Sequence, residues 1–479
     1  MDTKRLRQKI LDLAIRGKLV PQDPNDEPAS VLLERISAEK ERLIKEGKIK
    51  RSKKSASDTP HYENMPFEIP KSWEWVSIAD IAIDMADGPF GSNLKASHYT
   101  KDREVRIIQL SNIGDEGWRE ENTKYTTFEH LKEISRSEVL PNDIIIAKMM
   151  PAGRAIICPN HEPAFVLSSD AVKLRPSKFI DVRYILHAIN SPIFQEQVQD
   201  NVQGVTRLRT SIEKLKKYFI PLPPYSEQKR IVKSIEQHLV LVDNIDFETN
   251  ILRIYINKCK AKILELAIHG KLVPQNSNDE PALDLLKRIN PSFVPCDNAH
   301  DTNQLPKSWC WATLGNIFQH NTGKALNKSD SLEGTLKPYL TTSNVYWDSF
   351  DFTEVKQMYF KDSEIDKCTV QKGDLLVCEG GDIGRAAIWN YDHDICIQNH
   401  IHRLRAKGMI DHRLYLYVLM LYKWTDKIHG KGIGLQGLSS GLLDKLIIPV
   451  SPYNEQKRIV AKIEELFAVL DEIKESLEA

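Results

Sequence analysis

Cysteine is sparse and unpatterned in this chain: seven residues (Cys158, Cys259, Cys296, Cys310, Cys368, Cys378 and Cys396), odd in number, with no C-x-x-C pair. That excludes a disulfide framework and a cysteine zinc site, and it suits a reducing cytosol. No run of 18 apolar residues exists, so no membrane span is expected. The N-terminal stretch MDTKRLRQKILDL puts charges where an export signal needs an apolar run, so a cytoplasmic location is expected. Neither sign of charge is in excess, with 66 Lys+Arg against 66 Asp+Glu. A chain-wide basic field is thereby excluded, which leaves local patches to decide any contact with nucleic acid.

Catalytic motifs are missing as well. There is no G-x-x-x-x-G-K-[ST] phosphate loop. The segment Glu379-Gly380-Gly381-Asp382-Ile383-Gly384 lacks the strand–helix context and downstream acid of a dinucleotide site. Leu222-Pro223-Pro224-Tyr225 has leucine where the Asn/Asp-Pro-Pro-Tyr loop of adenine methyltransferases carries an amide or acid, and its copy Val450-Ser451-Pro452-Tyr453 departs further. Both read as helix-start punctuation. The 14 histidines form no H-E-x-x-H motif, and His400 and His402, alternating on a predicted strand, read as surface or core residues. No catalytic or metal-binding residue is therefore assigned.

What the chain does have is itself, twice. Ile10–Ile36 recurs at Ile263–Ile289 with 20 of 27 positions identical. Pro221–Glu236 (PLPPYSEQKRIVKSIE) recurs at Pro449–Glu464 (PVSPYNEQKRIVAKIE), and Pro70-Lys71-Ser72-Trp73-x-Trp75 at Pro306-Lys307-Ser308-Trp309-x-Trp311. Between the shared blocks lie two segments of similar length and weak mutual similarity. At 479 residues, 41% hydrophobic and 28% charged, the chain is long enough for two or more cores.

The frame reads as a coiled coil. Ile231, Ile235, His238, Val242, Ile245, Thr249, Leu252, Ile256, Cys259, Ile263 and Leu266 are spaced 4, 3, 4, 3 throughout. Pro223 and Pro224 stop the chain before this helix, Ser226 is positioned to cap it, and Gly270 with Pro274 ends it. About 44 residues at 1.5 Å each would span roughly 65 Å, a spacer rather than a core element. Ile459, Ile463, Leu466, Leu470, Ile473 and Leu477 repeat the seam of its first half, and Leu6, Ile10 and Leu13 that of its second half. The C-terminal and N-terminal helices together read as one broken copy of the central helix. Short helices are predicted at Val31–Ile36 and Leu283–Ile289, and a basic linker at Ser37–Lys54 that could lie along phosphates.

Each insert mixes short β-type runs (Val105–Leu110, Asp143–Lys148; Leu336–Thr341, Asp374–Cys378) with glycine- or asparagine-rich loops and a shared Gly-Arg-Ala, at Gly153 and Gly384. The inserts look like one fold with divergent surfaces. Their loops hold the residue types that read base edges: Arg and Lys for guanine, Asn and Gln for adenine. Residues kept identical in both copies, such as Arg154 and Arg385, can equally tie a turn together. Specificity is expected of residues that differ.

The chain resembles the specificity subunit of type I restriction-modification enzymes. The resemblance rests on Ile220–Val232 and its copy Ile448–Val460, the Gly-Lys-Leu-Val-Pro-Gln blocks at Gly17 and Gly270, Pro-Lys-Ser-Trp at both insert starts, and Asp-Gly-Pro-Phe-Gly-Ser from Asp87. It covers essentially the whole chain. It implies an α+β protein with two mixed α/β target recognition domains separated by a long antiparallel coiled coil, pseudo-two-fold and circularly permuted. Expected regions are 1–60 (N-terminal helix and basic linker), 61–222 (recognition domain 1), 223–272 (spacer helix), 273–304 (turn, short helix, linker), 305–451 (recognition domain 2) and 452–479 (C-terminal spacer helix). Each domain would read one half of a bipartite asymmetric site on double-stranded DNA. Ser92, Asn93, Lys95, Asn112, Lys148, Arg154, Thr206, Arg207, Arg209, Lys324, Asn344, Arg385, Asn399 and Gln436 are the expected DNA contacts. Glu227, Gln228, Arg230, Glu455, Gln456 and Arg458 are the expected docking residues for two modification subunits. S-adenosylmethionine, ATP and Mg would sit on those modification subunits and on restriction subunits, with no cofactor on this non-catalytic chain. The alternatives are a self-sufficient DNA methyltransferase or nuclease with duplicated domains, and a coiled-coil scaffold for proteins only.

Overall fold

The computed structural model describes residues 2–49, 65–91, 93–149, 151–200, 209–297, 304–326, 334–428 and 437–478. The chain divides into two compact units, Met1–Glu248 and Thr249–Ala479, and the division falls inside one 44-residue helix, Tyr225–Ile268. The prolines at 223 and 224 cannot extend this spacer helix N-terminally. Its first turn starts two residues before the start a Ser226 cap would give, because the Pro224 carbonyl already accepts from the Gln228 N–H (2.9 Å). Ser226 instead hydrogen-bonds Asp26. At the other end Gly270 takes φ +65°, and the Lys271 N–H closes on the Leu266 carbonyl (2.9 Å), a left-handed C-cap.

In unit 1 the opening helix, Thr3–Ile15, lies antiparallel on the first part of the spacer helix. Arg7 near its start reaches Asp243 and Asp246, and Gln22 beyond its end reaches Glu227. Ile10, Leu11, Ala14 and Ile15 share a core with Ile231, Ile235 and Val242. In unit 2 the closing helix, Tyr453–Glu478, pairs in the same sense with the second part: Lys260 with Asp471, Gln275 with Glu455. Its Ile459, Val460 and Ile463 pack with Leu264, Ala267 and Ile268. Along the predicted seam Ile231, Ile235, Val242 and Ile256 are buried and Ile245, Thr249, Ile263 and Leu266 half-buried. His238, Leu252 and Cys259 are exposed, and two of these three are the positions that depart from large aliphatics.

The short helix expected at Val31–Ile36 runs from Ala29 to Lys45, so nine residues of the expected basic linker are helical. Leu32 and Ile36 anchor it in the core, and the Lys40 ammonium donates to the Ala79 and Asp80 carbonyls (2.7 and 2.6 Å). A lysine that satisfies carbonyls holds the helix beyond its last buried residue, Ile36. Its counterpart in unit 2, Ala282–Ile289, is short as expected.

The α/β domain of each unit is the same arrangement. One antiparallel sheet has the order Ala82–Asp87, Ala171–Pro176, Ile144–Ala147, Ala155–Ile157 in unit 1 and Phe318–Thr322, Ile401–Ala406, Leu375–Cys378, Ala386–Ile388 in unit 2. The Ile144–Ala147 and Leu375–Cys378 strands are buried at every position, which is why they read as unbroken apolar runs. A second, mixed sheet pairs Val105–Ile108 in parallel with Ala164–Leu167, and Thr335–Leu340 with Ile395–Ile397. Buried Asp143 takes a two-pronged bond from Arg175 (2.7 and 2.6 Å), and Asp374 takes the same from Arg405. The first and last strands of each domain pair with one another: Glu74–Ser77 with Phe219–Leu222, Cys310–Thr313 with Ile447–Val450.

Gly17 and Gly47 both have φ near +70°, but a Cβ on Gly17 would lie 2.5 Å from Pro70 Cγ, whereas one on Gly47 would meet nothing within 4 Å. Alanine at either site costs about 1 kcal/mol for the left-handed backbone. Gly17→Ala is therefore expected to lower the melting temperature further than Gly47→Ala, and equal losses by calorimetry would refute the close approach.

Candidate nucleic-acid interface

In each unit the three repeated sequence blocks meet at one carboxylate. Glu227, on the first turn of the spacer helix, is 1% exposed. Its Oε2 accepts from the Trp73 indole N–H (2.9 Å) and its Oε1 from the Gln22 amide (2.6 Å). Glu455 accepts from Trp309 (2.9 Å) and Gln275 (2.5 Å) in the same way. The adjoining Gln228, fully buried, accepts from the Asp181 N–H and donates to the Pro223 carbonyl; Gln456 does so with Asp411 and Ser451. Arg230 closes the cluster on Asp26 (2.5 Å), and Arg458 on Asp279 (2.6 Å). Burial pushes the Glu227 and Glu455 carboxyls above the usual range, and the indole and amide donors oppose it. The Arg230 hydrogen bond draws the Asp26 carboxyl down. Of the expected docking residues, then, the Glu-Gln pairs point inward and engage their own unit, while Arg230 and Arg458 keep 36% of their side-chain surface open.

The expected DNA contacts fall into three groups. Ser92, Thr206, Arg207 and Gln436 lie outside the described residues. A second group is occupied in building turns. Asn112, fully buried, donates to the Arg119 and Glu121 carbonyls, and Asn344 to those of Asp351 and Glu354. Arg154 donates to the Ile113 carbonyl and pairs with Asp115; Arg385 donates to the Thr342 carbonyl and stacks on Tyr346. Lys324 is 7% exposed and pairs with Glu364 (2.6 Å). The third group reaches the surface: Asn93, Lys95 and Arg209 are exposed, and Lys148 and Asn399 half-buried. Arg209 contacts Asp170 (3.5 Å), and Lys148 contacts Asp87 (2.7 Å).

In unit 1 the surface group borders an open groove of about 340 Å³, lined in part by Gly91, Tyr99, Gln109, Ser111, Ser169 and Asp170. Phe90, beside it, is 79% exposed. The Gly88 turn presses on the groove wall, since a Cβ there would fall 1.7 Å from the Ser168 carbonyl oxygen. Polar side chains, cations already oriented by carboxylates and one bare aromatic form a surface suited to base edges and phosphates. Among the described residues no group of three or more His, Cys, Asp or Glu side chains could hold a metal. No helix among them is long and apolar enough to cross a membrane. His402 is a core residue, 1% exposed, bonded to His320 and the Leu438 carbonyl, and His400 is exposed.

Sequence reasoning assigned no role to Trp73, Gln22 and Asp26 or to their unit 2 counterparts. The available signal was the recurrence of all three blocks together.

A duplicated helical frame carrying two unlike α/β readers defines a DNA-specificity class of protein. A family model described as the Type I restriction modification DNA specificity domain matches residues 70–253 and 306–479, and the chain belongs to that family. It is 27% identical to the Type I restriction enzyme EcoAI specificity subunit of Escherichia coli, over 98% of this chain and 90% of that protein. It is also 27% identical to the EcoEI specificity subunit of Escherichia coli, over 99% and 91%. A solved structure described as the "Structural basis underlying complex assembly and conformational transition of the type I R-M system" shares the fold, with TM-score 0.59 at 18% identity over 86% of this chain and 94% of that one.

Trp73→Phe removes the donor to Glu227 and leaves a buried oxygen unpaired, a loss of about 1–3 kcal/mol. The expected readout is a lower urea midpoint, with Trp309→Phe giving a matching loss; an unchanged midpoint in both would show that the cluster does not hold the fold.

Proposed function

We propose that this chain is the DNA sequence-specificity subunit of a type I restriction-modification complex and has no turnover of its own. The carrying observation is the twofold family match on a frame whose anchoring cluster is repeated while the loops diverge. Recognition domain 1 (61–222) and recognition domain 2 (305–451) each read one half of a bipartite asymmetric site, and the helices set the spacing. Coupling two modest half-site affinities through one stiff spacer makes binding a joint event. Methyltransferase subunits dock along the helices and bring S-adenosylmethionine; restriction subunits bring ATP and Mg. The spacer helix exposes Val240, Leu241, Phe247, Ile254 and Tyr255, apolar surface that a docked partner would cover.

The self-sufficient enzyme is not supported by the relatives, which are specificity subunits. Exchanging residues 61–217 for those of a relative is expected to change one half of the methylated sequence and leave the other. Inserting one heptad into both helical strands is expected to lengthen the tolerated gap. Unchanged methylation sites in both constructs would end the proposal. Lys95→Ala is expected to reduce the slope of log affinity against log salt by about one unit, as for one phosphate contact.

A further inference from the structure

The internal duplication allows the two domains to be compared position by position. Matching backbone hydrogen bonds put the two α/β domains in register, residue for residue, around the groove. The Gly88 N–H donates to the Ala171 carbonyl and the Gly323 N–H to that of Ile401. The Ser168 N–H donates to the Ile108 carbonyl and the Gln398 N–H to that of Leu340. The Lys148 N–H donates to the Asp170 carbonyl and the Glu379 N–H to that of His400, all four of these last groups lying at strand ends. Thr210 and Leu438 return to the Lys148 and Glu379 carbonyls, each at 2.9 Å.

In this register, residues identical in both domains have internal work. Asn112 and Asn344 close turns, Arg154 and Arg385 donate to turn carbonyls, and Gly88 and Gly323 lie where a Cβ would strike backbone at 1.7 and 2.1 Å. The residues that differ lie on the same backbone positions but carry different chemistry. Lys148 stands where the second domain has Glu379, Asp170 where it has His400, and Ser169 where it has Asn399. At the first of these positions the exchange is one of charge sign: Lys148 pairs with Asp87 (2.7 Å), whereas Glu379 faces His400 (3.3 Å).

We infer that Lys148, Ser169 and Asp170 in the first domain, and Glu379, Asn399 and His400 in the second, are the base-discriminating residues, each trio presented by a shared backbone frame. This rests on the DNA-specificity reading above and names the residues that carry it. The chemistry also separates the targets. An ammonium favours the O6 and N7 acceptors of guanine, and a carboxylate favours the amino donor of cytosine. The first domain therefore reads a guanine edge at the position where the second reads a cytosine edge.

The test is made in the full complex with its modification subunits, by mapping methylated bases in the DNA of cells that carry it. The first-domain variant holds Lys148→Glu, Ser169→Asn and Asp170→His together. The expected result is a changed base in one half-site, the other half unchanged, and methylation of the original motif reduced on the order of tenfold or more, the size of losing one good base contact. Because three changes could disturb the fold, Ser169→Asn and Glu379→Gln are made singly and checked by melting temperature. Each is expected to alter the motif in one half only, the two variants in different halves. Wild-type motifs at wild-type extent in all three variants would overturn the assignment. If the unaltered chain produced no bipartite motif, the specificity reading would fall, and this inference with it.

Discussion

A buried glutamate on the first turn of a long helix is the constraint from which the rest of each unit follows. Glu227 and Glu455 have almost no contact with water, so their oxygens need protein donors. Those donors come from two distant places in the chain, an indole at the start of the α/β domain and an amide just beyond a helix C-cap. One side chain thereby ties the helical frame, the turn after the paired helix and the inserted domain to a single point. The neighbouring glutamine adds a fourth connection by holding Asp181 or Asp411, the caps of helices Val182–Ile189 and His412–Trp424.

On the proposed assignment, the repeated unit separates anchoring from reading. Identical residues make the anchoring cluster and the turns, and dissimilar residues occupy equivalent strand ends. The charge neutrality of the whole chain is compatible with this arrangement. Several cations here are committed to carboxylates, among them Arg175, Arg230 and Arg405, and equal numbers of acidic and basic residues leave no net field over the chain. On the proposed reading, affinity comes from placed contacts and from the joint action of two domains, not from bulk attraction.

Much of the fold could be read in advance because it rests on periodicity and punctuation. The spacer helix is visible in its 4-3 spacing and its flanking prolines and glycine, and the central strands in their all-apolar runs. The extended helix Ala29–Lys45 was not visible, since its second half is held by a lysine bonding to carbonyls 39 and 40 residues away. The inward orientation of Glu227 and Gln228 was hidden for a related reason. A charged, amide-rich helix start looks like surface until its partners are known, and Trp73 lies 154 residues away and Gln22 lies 205. Among the expected DNA contacts, residue type alone did not show which side chains are engaged internally. Asn112 and Asn344 have the chemistry of adenine readers, but their short side chains are consumed by the turns they close.

The pairing of each domain's first strand with its last has an architectural consequence. Both chain ends of the domain leave the frame side by side through a ladder only four residues long. Entry and exit of the domain are thus fixed together beside the core it shares with the frame helices, and loops remote from that core can change without moving the point of attachment. Divergence confined to those loops is thus mechanically cheap, and one frame and one domain arrangement can carry two different surfaces.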